Sequence, residues 1–398
     1  MRFFTGCKST KNLLLSYGMR IAVNARFLLK HKMEGFGWYT YETLKRMTTN
    51  YPEHQFIFFF DRPFDPKFIF SANVEPVVLI PPARHPILFK IWFNFSVSRA
   101  LKKYKADILF SPDGYLSLKT NIPQIGVIHD LNFEHYPEDL PKSALKYLKH
   151  YFPLFAKKAA HILTVSEFSK QDITRLYKID PAKITVGHNG SSPIFKPLSN
   201  ADKHVLRDEF TNGIPYIIFV GALHPRKNLV RLLKAFDQFK KATKAETKLL
   251  IVGENLWRSK KLNVPEIQFQ KDVVFTGHQP IEKLAQLVAA AKFMAFVSYF
   301  EGFGIPIVEA MQAGCPVLSG DKTSLPEVAG DAAVYCDPFD VNSIAKGLQE
   351  LDQNEALRNQ LIQKGFDRCK QFSWDFTAEK IWQVLEKYNP ESTHQPRN

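Results

Sequence analysis

Twelve short apolar runs rich in β-branched and aromatic residues recur along this chain, and longer stretches with helical periodicity separate most of them. "RIAVNA", "QFIFFF", "ADILFS", "QIGVIHD", "HILTVS" and "KITVGHN" occupy the first half, and "YIIFVGA", "KLLIVGE", "DVVFTGH", "FMAFVS", "CPVLSG" and "AAVYC" the second. A strand that is apolar along its whole length must be covered on both faces. Covered strands joined by helices form parallel sheets. The class is therefore α/β, with two doubly wound units. Length agrees, since 398 residues suit two domains. Between the halves, "HNGSSPIFKPLSNADK" combines an Asn-Gly with two prolines and polar residues, which places a hinge near residues 190–212. In open sheets of this kind ligands bind beyond the carboxyl ends of the strands, so the loops there and the cleft between the units are where chemistry is expected.

Charge is uneven. Residues 1–195 carry 27 Lys and Arg against 15 Asp and Glu, whereas residues 196–398 carry 26 against 24. No acid lies between Glu75 and Asp107, where Arg84, Lys90, Arg99, Lys102, Lys103 and Lys105 alternate with "ILFKIWFNF". Lys142, Lys146, Lys149, Lys157 and Lys158 form a second acid-free run. Such a surplus suits an anionic partner, whether a membrane surface, a diphosphate-bearing lipid or nucleic acid, and suits equally a solvated basic face. Helix-turn-helix, zinc-finger and aromatic ribonucleoprotein patterns are all missing, which argues against nucleic acid. No apolar run reaches the 18 residues or so of a membrane span, and the opening "MRFFTGCKSTKNLLLSYG" lacks a signal-peptide cleavage site. A cytoplasmic location follows, with peripheral attachment to the inner membrane face as a further expectation. Residues 1–18 are assigned no fold and are expected to be a disordered extension, since "MRIAVNARFLL" from Met19 reads as the first buried strand. Cys7, Cys315, Cys336 and Cys369 have no paired spacing and read as reduced thiols.

Four clusters carry candidate chemistry. In "FVSYFEGFGIPIVEAMQAGCPVLSG" a strand is expected to run to Glu301, followed by a glycine turn, Pro306 at a helix start and Gly314 at its end. Glu309 then falls in the first helical turn. There, amides of residues 302–305 would meet an anionic or hydroxyl-rich ligand, and a carboxylate could either cap the helix or accept from two vicinal hydroxyls. In "FVGALHPRKNLVRLLKAF", Gly221 ends a strand and Arg226 and Lys227 precede a helix, where cations oppose the helix dipole unless an anion such as a diphosphate compensates them. In "MEGFGWYTYETL", Gly35 and Gly37 open a helix and would let backbone approach a phosphate, although Thr40 breaks a full dinucleotide fingerprint. In "IGVIHDLNFEHYPE", His129 and Asp130 follow a buried strand; His129 could donate to a sugar or phosphate, and Asp130 could fix its tautomer or cap the next element. No D-x-D, H-E-x-x-H or P-loop motif is present, so no metal and no cofactor is expected.

These segments, with "VVFTGHQPIEKLAQLVAAAKF", "GDKTSLPEVAGDAAVYCDPFD" and "FSWDFTAEKIWQVLEKY", resemble family 4 of the retaining glycosyltransferases from Met19 to about Tyr388. The resemblance implies the GT-B fold: two doubly wound Rossmann-like parallel-sheet domains facing across a cleft. It implies an acceptor-binding domain at 19–195, a nucleotide-sugar domain at 196–372, and a segment at 373–398 whose helix crosses back to the first domain. The spaced pair Glu301 and Glu309 is the family signature. By resemblance Glu309 binds the donor ribose, Glu301 with Gly302, Phe303, Gly304 and Ile305 holds the donor sugar, and Arg226 and Lys227 neutralise the leaving diphosphate. Gly35, Gly37 and Gly221 line the donor phosphates, and His129 stands beside the sugar. The family's glycine loop commonly carries an arginine where this chain has Trp38.

The expected reaction is transfer of a hexose, mannose favoured, from a GDP- or UDP-sugar to a saccharide or lipid-linked saccharide, with retention by front-face attack, in polysaccharide biosynthesis. The alternatives are a GT-B phosphorylase or sugar-nucleotide epimerase and, outside enzymes, a basic membrane or nucleic-acid adaptor.

Overall fold

A computed structural model describes residues 18–30, 33, 35–254 and 266–390, so the expected N-terminal extension lies outside the described residues except for Gly18. Seven parallel strands form the first sheet: β1 (Arg20–Asn24), β2 (Gln55–Phe60), β3 (Val74–Val78), β4 (Ile108–Ser111), β5 (Gln124–Val127), β6 (His161–Thr164) and β7 (Ile184–Val186), in the order β3-β2-β1-β4-β5-β6-β7. Six form the second: β8 (Tyr216–Val220), β9 (Lys248–Val252), β10 (Val273–Gly277), β11 (Phe293–Phe296), β12 (Val317–Gly320) and β13 (Val334–Cys336), in the order β10-β9-β8-β11-β12-β13. These are the two doubly wound sheets of the GT-B fold. Each reverses its order once, between β1 and β4 and between β8 and β11, and the crevices beyond those strand ends face each other.

All twelve apolar runs became strands. β8 shows why they are apolar throughout: Ile217 and Phe219 pack into one core, while Tyr216, Ile218 and Val220 pack into another on the opposite face. The thirteenth strand, β3, has the sequence VEPVV and escaped the pattern because Glu75 and Pro76 interrupt it. It lies at the sheet edge, where a residue without an N–H breaks no ladder on its outer side.

After β13 the chain crosses back. Helix Trp374–Glu386 packs on helix Gly35–Asn50 of the first domain, with Trp382 stacked on Tyr51 at 3.6 Å, Trp374 edge-on to Tyr39 at 6.0 Å, and Arg46 Nε 2.7 Å from Asp375. Gly190, in the connection between domains, lies under this helix start; a Cβ there would stand 2.3 Å from the Trp374 amide nitrogen. Among the described residues no helix is long and apolar enough to cross a membrane. Cys315, Cys336 and Cys369 are free thiols, and Cys7 lies outside the described residues.

Candidate active site

On the second domain the site begins where β8 ends. Gly221 has φ +148°, and a Cβ there would lie 3.4 Å from Lys227 Cε, so the glycine leaves room for the lysine stem. The chain then makes a single 3-10 turn, Pro225–Lys227, whose first amide is capped by His224 Nδ1. Asn228, at φ +65°, donates to the Val297 and Pro338 carbonyls at 3.0 and 2.6 Å and fastens the turn to the end of β11. Arg226 and Lys227 therefore sit in that turn, just ahead of helix Leu229–Thr243, where the sequence places them.

β11 stops at Phe296, five residues before Glu301, because the chain leaves the sheet to meet the Arg-Lys turn; the Tyr299 amide donates to the Arg226 carbonyl at 3.0 Å. Glu301 is 5% exposed and is gripped at both oxygens, by Lys227 Nζ at 2.6 Å and Arg226 Nη1 at 3.1 Å. Burial pushes its carboxyl up, but the facing charges of Lys227 and Arg226 outweigh burial and hold it below the ordinary carboxylate range. Lys227 is lowered, because burial and the neighbouring Arg226 together exceed what Glu301 restores. Two cations thus share one close carboxylate, with Asp130 a more distant 3.7 Å from Arg226 Nη1. With Glu301 and Asp130 the formal charges of the cluster balance, so an incoming anion competes with these carboxylates for the two cations. Behind it, Thr323 accepts from the Glu301 amide at 3.2 Å while held at φ +59°, a backbone region that costs a β-branched residue strain. Ser324 Oγ bonds the Glu301 and Phe303 carbonyls, each at 3.0 Å.

The glycine turn follows. Gly304, at φ +105°, opens helix Ile305–Gln312 with Pro306 in its first positions, and Gly314 closes it at φ +70°. Glu309 is the fifth helical residue and so lies beyond the first turn; capping does not account for it. The residue is half-buried, and its carboxyl has no hydrogen-bond or ionic partner among the described residues and is pushed by burial up to about 8.

On the first domain, His129 stands two residues past β5, with Nε2 2.8 Å from the Pro112 carbonyl. A carbonyl only accepts, so Nε2 carries the proton. Burial lowers the imidazole, opposed by the Pro112 bond and by Asp130 and Asp113, and leaves it net below its ordinary value. The tautomer is set by Pro112; Asp130 caps the next element instead, accepting from the Asn132 amide at 3.0 Å. Phe36 and Tyr39 meet the His129 ring edge-on, each at 4.7 Å. Gly37 fits against the loop after β1, its absent Cβ 3.0 Å from the Phe27 carbonyl, whereas the Gly35 Cβ position is open.

The two domains meet at Gly302, where a Cβ would stand 2.3 Å from the His129 carbonyl oxygen. Ser166 donates to the Gly302 carbonyl at 2.6 Å and Ser169 to that of His129 at 3.0 Å. Glu327 accepts from the amides of Glu167 and Phe168 at 2.8 and 3.1 Å, at the start of a first-domain helix, and pairs with His188 at 2.8 Å. Tyr299 donates to Asp139 at 2.7 Å. Arg226, Lys227 and Glu301 are thus in direct contact, Gly221 lies alongside the Lys227 stem, His129 joins them through Gly302, and Gly35 and Gly37 reach His129 through Phe36 and Tyr39. Among the described residues no hydrogen bond or ion pair joins the Glu309 carboxyl to any of them. Sequence reasoning missed Ser166, Ser169, Glu327, Asp139, Thr323 and Ser324. Ser166 was findable as a helix cap, but nothing local says that its hydroxyl crosses to the other domain.

Two parallel sheets with their loop-bearing ends opposed, an acid and two cations at the junction and a glycine packed on the facing histidine define a glycosyltransferase of the GT-B class. Residues 206–368 match the family described as Glycosyl transferases group 1, and residues 33–193 match Glycosyltransferase Family 4. Among curated proteins, the chain is 30% identical over 360 residues to the O-antigen chain mannosyltransferase B of Escherichia coli, covering 87% of this chain and 94% of that protein. It is 27% identical over 258 residues to the O-antigen chain mannosyltransferase RfbU of Salmonella typhimurium, covering 63% and 68%. Among solved structures, sucrose-phosphate synthase from Thermosynechococcus elongatus superposes with a TM-score of 0.75 at 19% identity, covering 93% and 98%. The chain belongs to glycosyltransferase family 4 and is a hexosyltransferase.

Proposed function

We propose that the protein moves a hexose, mannose in the favoured reading, from a GDP- or UDP-sugar to a saccharide or lipid-linked saccharide during polysaccharide assembly, with retention. The arrangement of Arg226, Lys227 and Glu301 carries this reading. A diphosphate arriving at the cationic turn competes with Glu301 for Arg226 and Lys227 and loosens the hold on that acid, whose carboxylate then accepts from sugar hydroxyls. Glu309, unpartnered, accepts from the two ribose hydroxyls. As the anomeric C–O bond to the diphosphate breaks, Arg226 and Lys227 stabilise the charge on the departing oxygen. The acceptor oxygen attacks the same face, and its proton passes to that phosphate oxygen. No metal is assigned to the site, because the two cations supply the neutralisation. Mannose is favoured because both curated relatives named above are mannosyltransferases.

A membrane surface belongs to the same reading. Ile87, Ile91 and Phe95 lie exposed along one helical run, Ile80 beside them is joined to it by the Ser96 hydroxyl, and exposed Lys90, Arg99, Lys102 and Lys103 flank them. An apolar strip with a basic margin suits the inner face of an anionic bilayer, where a lipid-linked acceptor would be met.

Incubation with GDP-mannose, UDP-glucose and UDP-N-acetylglucosamine plus a mannosylated acceptor, read by proton NMR, tests the chemistry. An α-linked product from one donor, lost in Arg226→Ala, supports the proposal. A β-linked product, or no consumption of any donor, overturns it. Pelleting with vesicles of phosphatidylglycerol against vesicles of phosphatidylcholine alone tests the surface, and equal binding to both removes it.

A further inference from the structure

Asn24, Arg26, Ser111 and Asp113 form a buried polar array at the carboxyl ends of β1 and β4, where the first sheet reverses its order. Arg26 Nε lies 2.7 Å from Asp113 Oδ2. The other Asp113 oxygen, Oδ1, lies 2.8 Å from Asn24 Nδ2, 3.0 Å from Ser111 Oγ and 3.1 Å from the Tyr115 amide, so both ends of the carboxylate are committed. The Arg26 guanidinium carbon is 4.3 Å from the ring centre of Tyr115, 4.9 Å from those of Phe27 and Phe89, and 5.3 Å from that of Phe93. Gly114, at φ +78°, completes the turn so closely that a Cβ would stand 2.9 Å from the Val127 carbonyl of β5.

A buried ion pair is a poor device for stability, since an apolar replacement of similar shape is often neutral or stabilising. What this one does is hold a turn. Pro112, between Ser111 and Asp113, presents the carbonyl that accepts the His129 Nε2 proton at 2.8 Å. His129 Nδ1 has no hydrogen-bond partner among the described residues. An imidazole whose one nitrogen is held by a fixed carbonyl has its tautomer and its plane decided together.

We propose that Arg26 and Asp113 are positioning residues for the transfer reaction: through the Pro112 carbonyl they keep the His129 proton on Nε2 and leave Nδ1 as an acceptor for a hydroxyl of the bound sugar. The role in transfer rests on the function proposed above; the tautomer does not.

Long-range proton–nitrogen NMR of histidine-labelled full-length protein reads the tautomer directly, with His129→Asn used to assign the signal. The wild type should show the Nε2-protonated form, and Asp113→Asn or Asn24→Ala a mixture. Misplacing a reacting group slightly is costly, so Asp113→Asn should lower kcat about 10- to 100-fold with the donor KM nearly unchanged. In a His129→Ala background Asp113→Asn should cause no further loss. Arg26→Lys, which keeps the charge, should retain more activity than Arg26→Met. An Nδ1-protonated wild type, an unchanged tautomer in both array variants, or losses that multiply in the double variant would each overturn the proposal. A wild type that shows the expected tautomer but transfers no sugar would sink the function and leave the array standing.

Discussion

Glu309 is an acid without a described partner, pushed by burial from 4.5 up to about 8. An acid raised on folding keeps its proton over an interval in which the unfolded chain has lost it. Its contribution to stability is therefore largest below the unfolded value and declines as the pH rises through the folded one. Glu309→Gln removes that decline, so in ligand-free protein its melting temperature relative to wild type should climb between about pH 5 and pH 8. Over the same interval nucleoside diphosphate should bind the wild type more tightly, as the ionised carboxylate becomes available to the ribose, and Glu309→Ala should weaken binding at the upper end; calorimetry checks both. Glu301 has the opposite sign. Held below its ordinary value by Lys227 and Arg226, it stabilises the fold above that value and ceases to do so as acid protonates it. Glu301→Gln leaves the two cations facing a neutral group, and kcat should fall about 10²- to 10³-fold, measured with saturating donor.

At the level of elements, the returning helix Trp374–Glu386 is part of the first domain's packing although it ends the described second half of the chain. Trp382 is buried and stacks on Tyr51 at 3.6 Å. Trp382→Ala should cost about 3–5 kcal/mol by urea denaturation. Strands were readable as elements because their two-sided burial leaves a continuous apolar run in the sequence. β3 was not, because an edge position tolerates the Glu75 and Pro76 that hide it. Boundaries near the site were also misread. "FMAFVSYF" looks like one strand, yet Val297 to Phe300 bend away to receive the Arg226 carbonyl and to bring Tyr299 and Phe300 against first-domain residues.

For the whole molecule, closure requires a residue without a side chain at Gly302. With 2.3 Å between a would-be Cβ and the His129 oxygen, alanine cannot be accommodated unless the domains part. Gly302→Ala should lower transfer at least about 100-fold, since displacement of a reacting group by an ångström already costs that much. Nucleoside diphosphate should still bind the cationic turn, and solution scattering should show a larger radius of gyration. An unchanged radius with full activity would contradict this account of closure.

The sequence alone determined the two parallel sheets, because strands covered on both faces must be apolar and their helical connections leave a second periodicity. It also marked the glycine turn, the acid pair and the cationic turn, which need particular side chains at particular spacings, but gave no sign of Ser169, Glu327 or Asp139. Only the tertiary structure decided who meets whom. Glu301 as the counter-ion of Arg226 and Lys227, Pro112 as the holder of His129, and Glu327 reaching the amides of Glu167 and Phe168 join positions from 17 to 160 residues apart, and the tertiary structure alone leaves Glu309 without a described partner. Local spacing carries no record of such pairings; the first two arise where loops of one sheet converge beyond its strand ends, and the third only where the two domains meet.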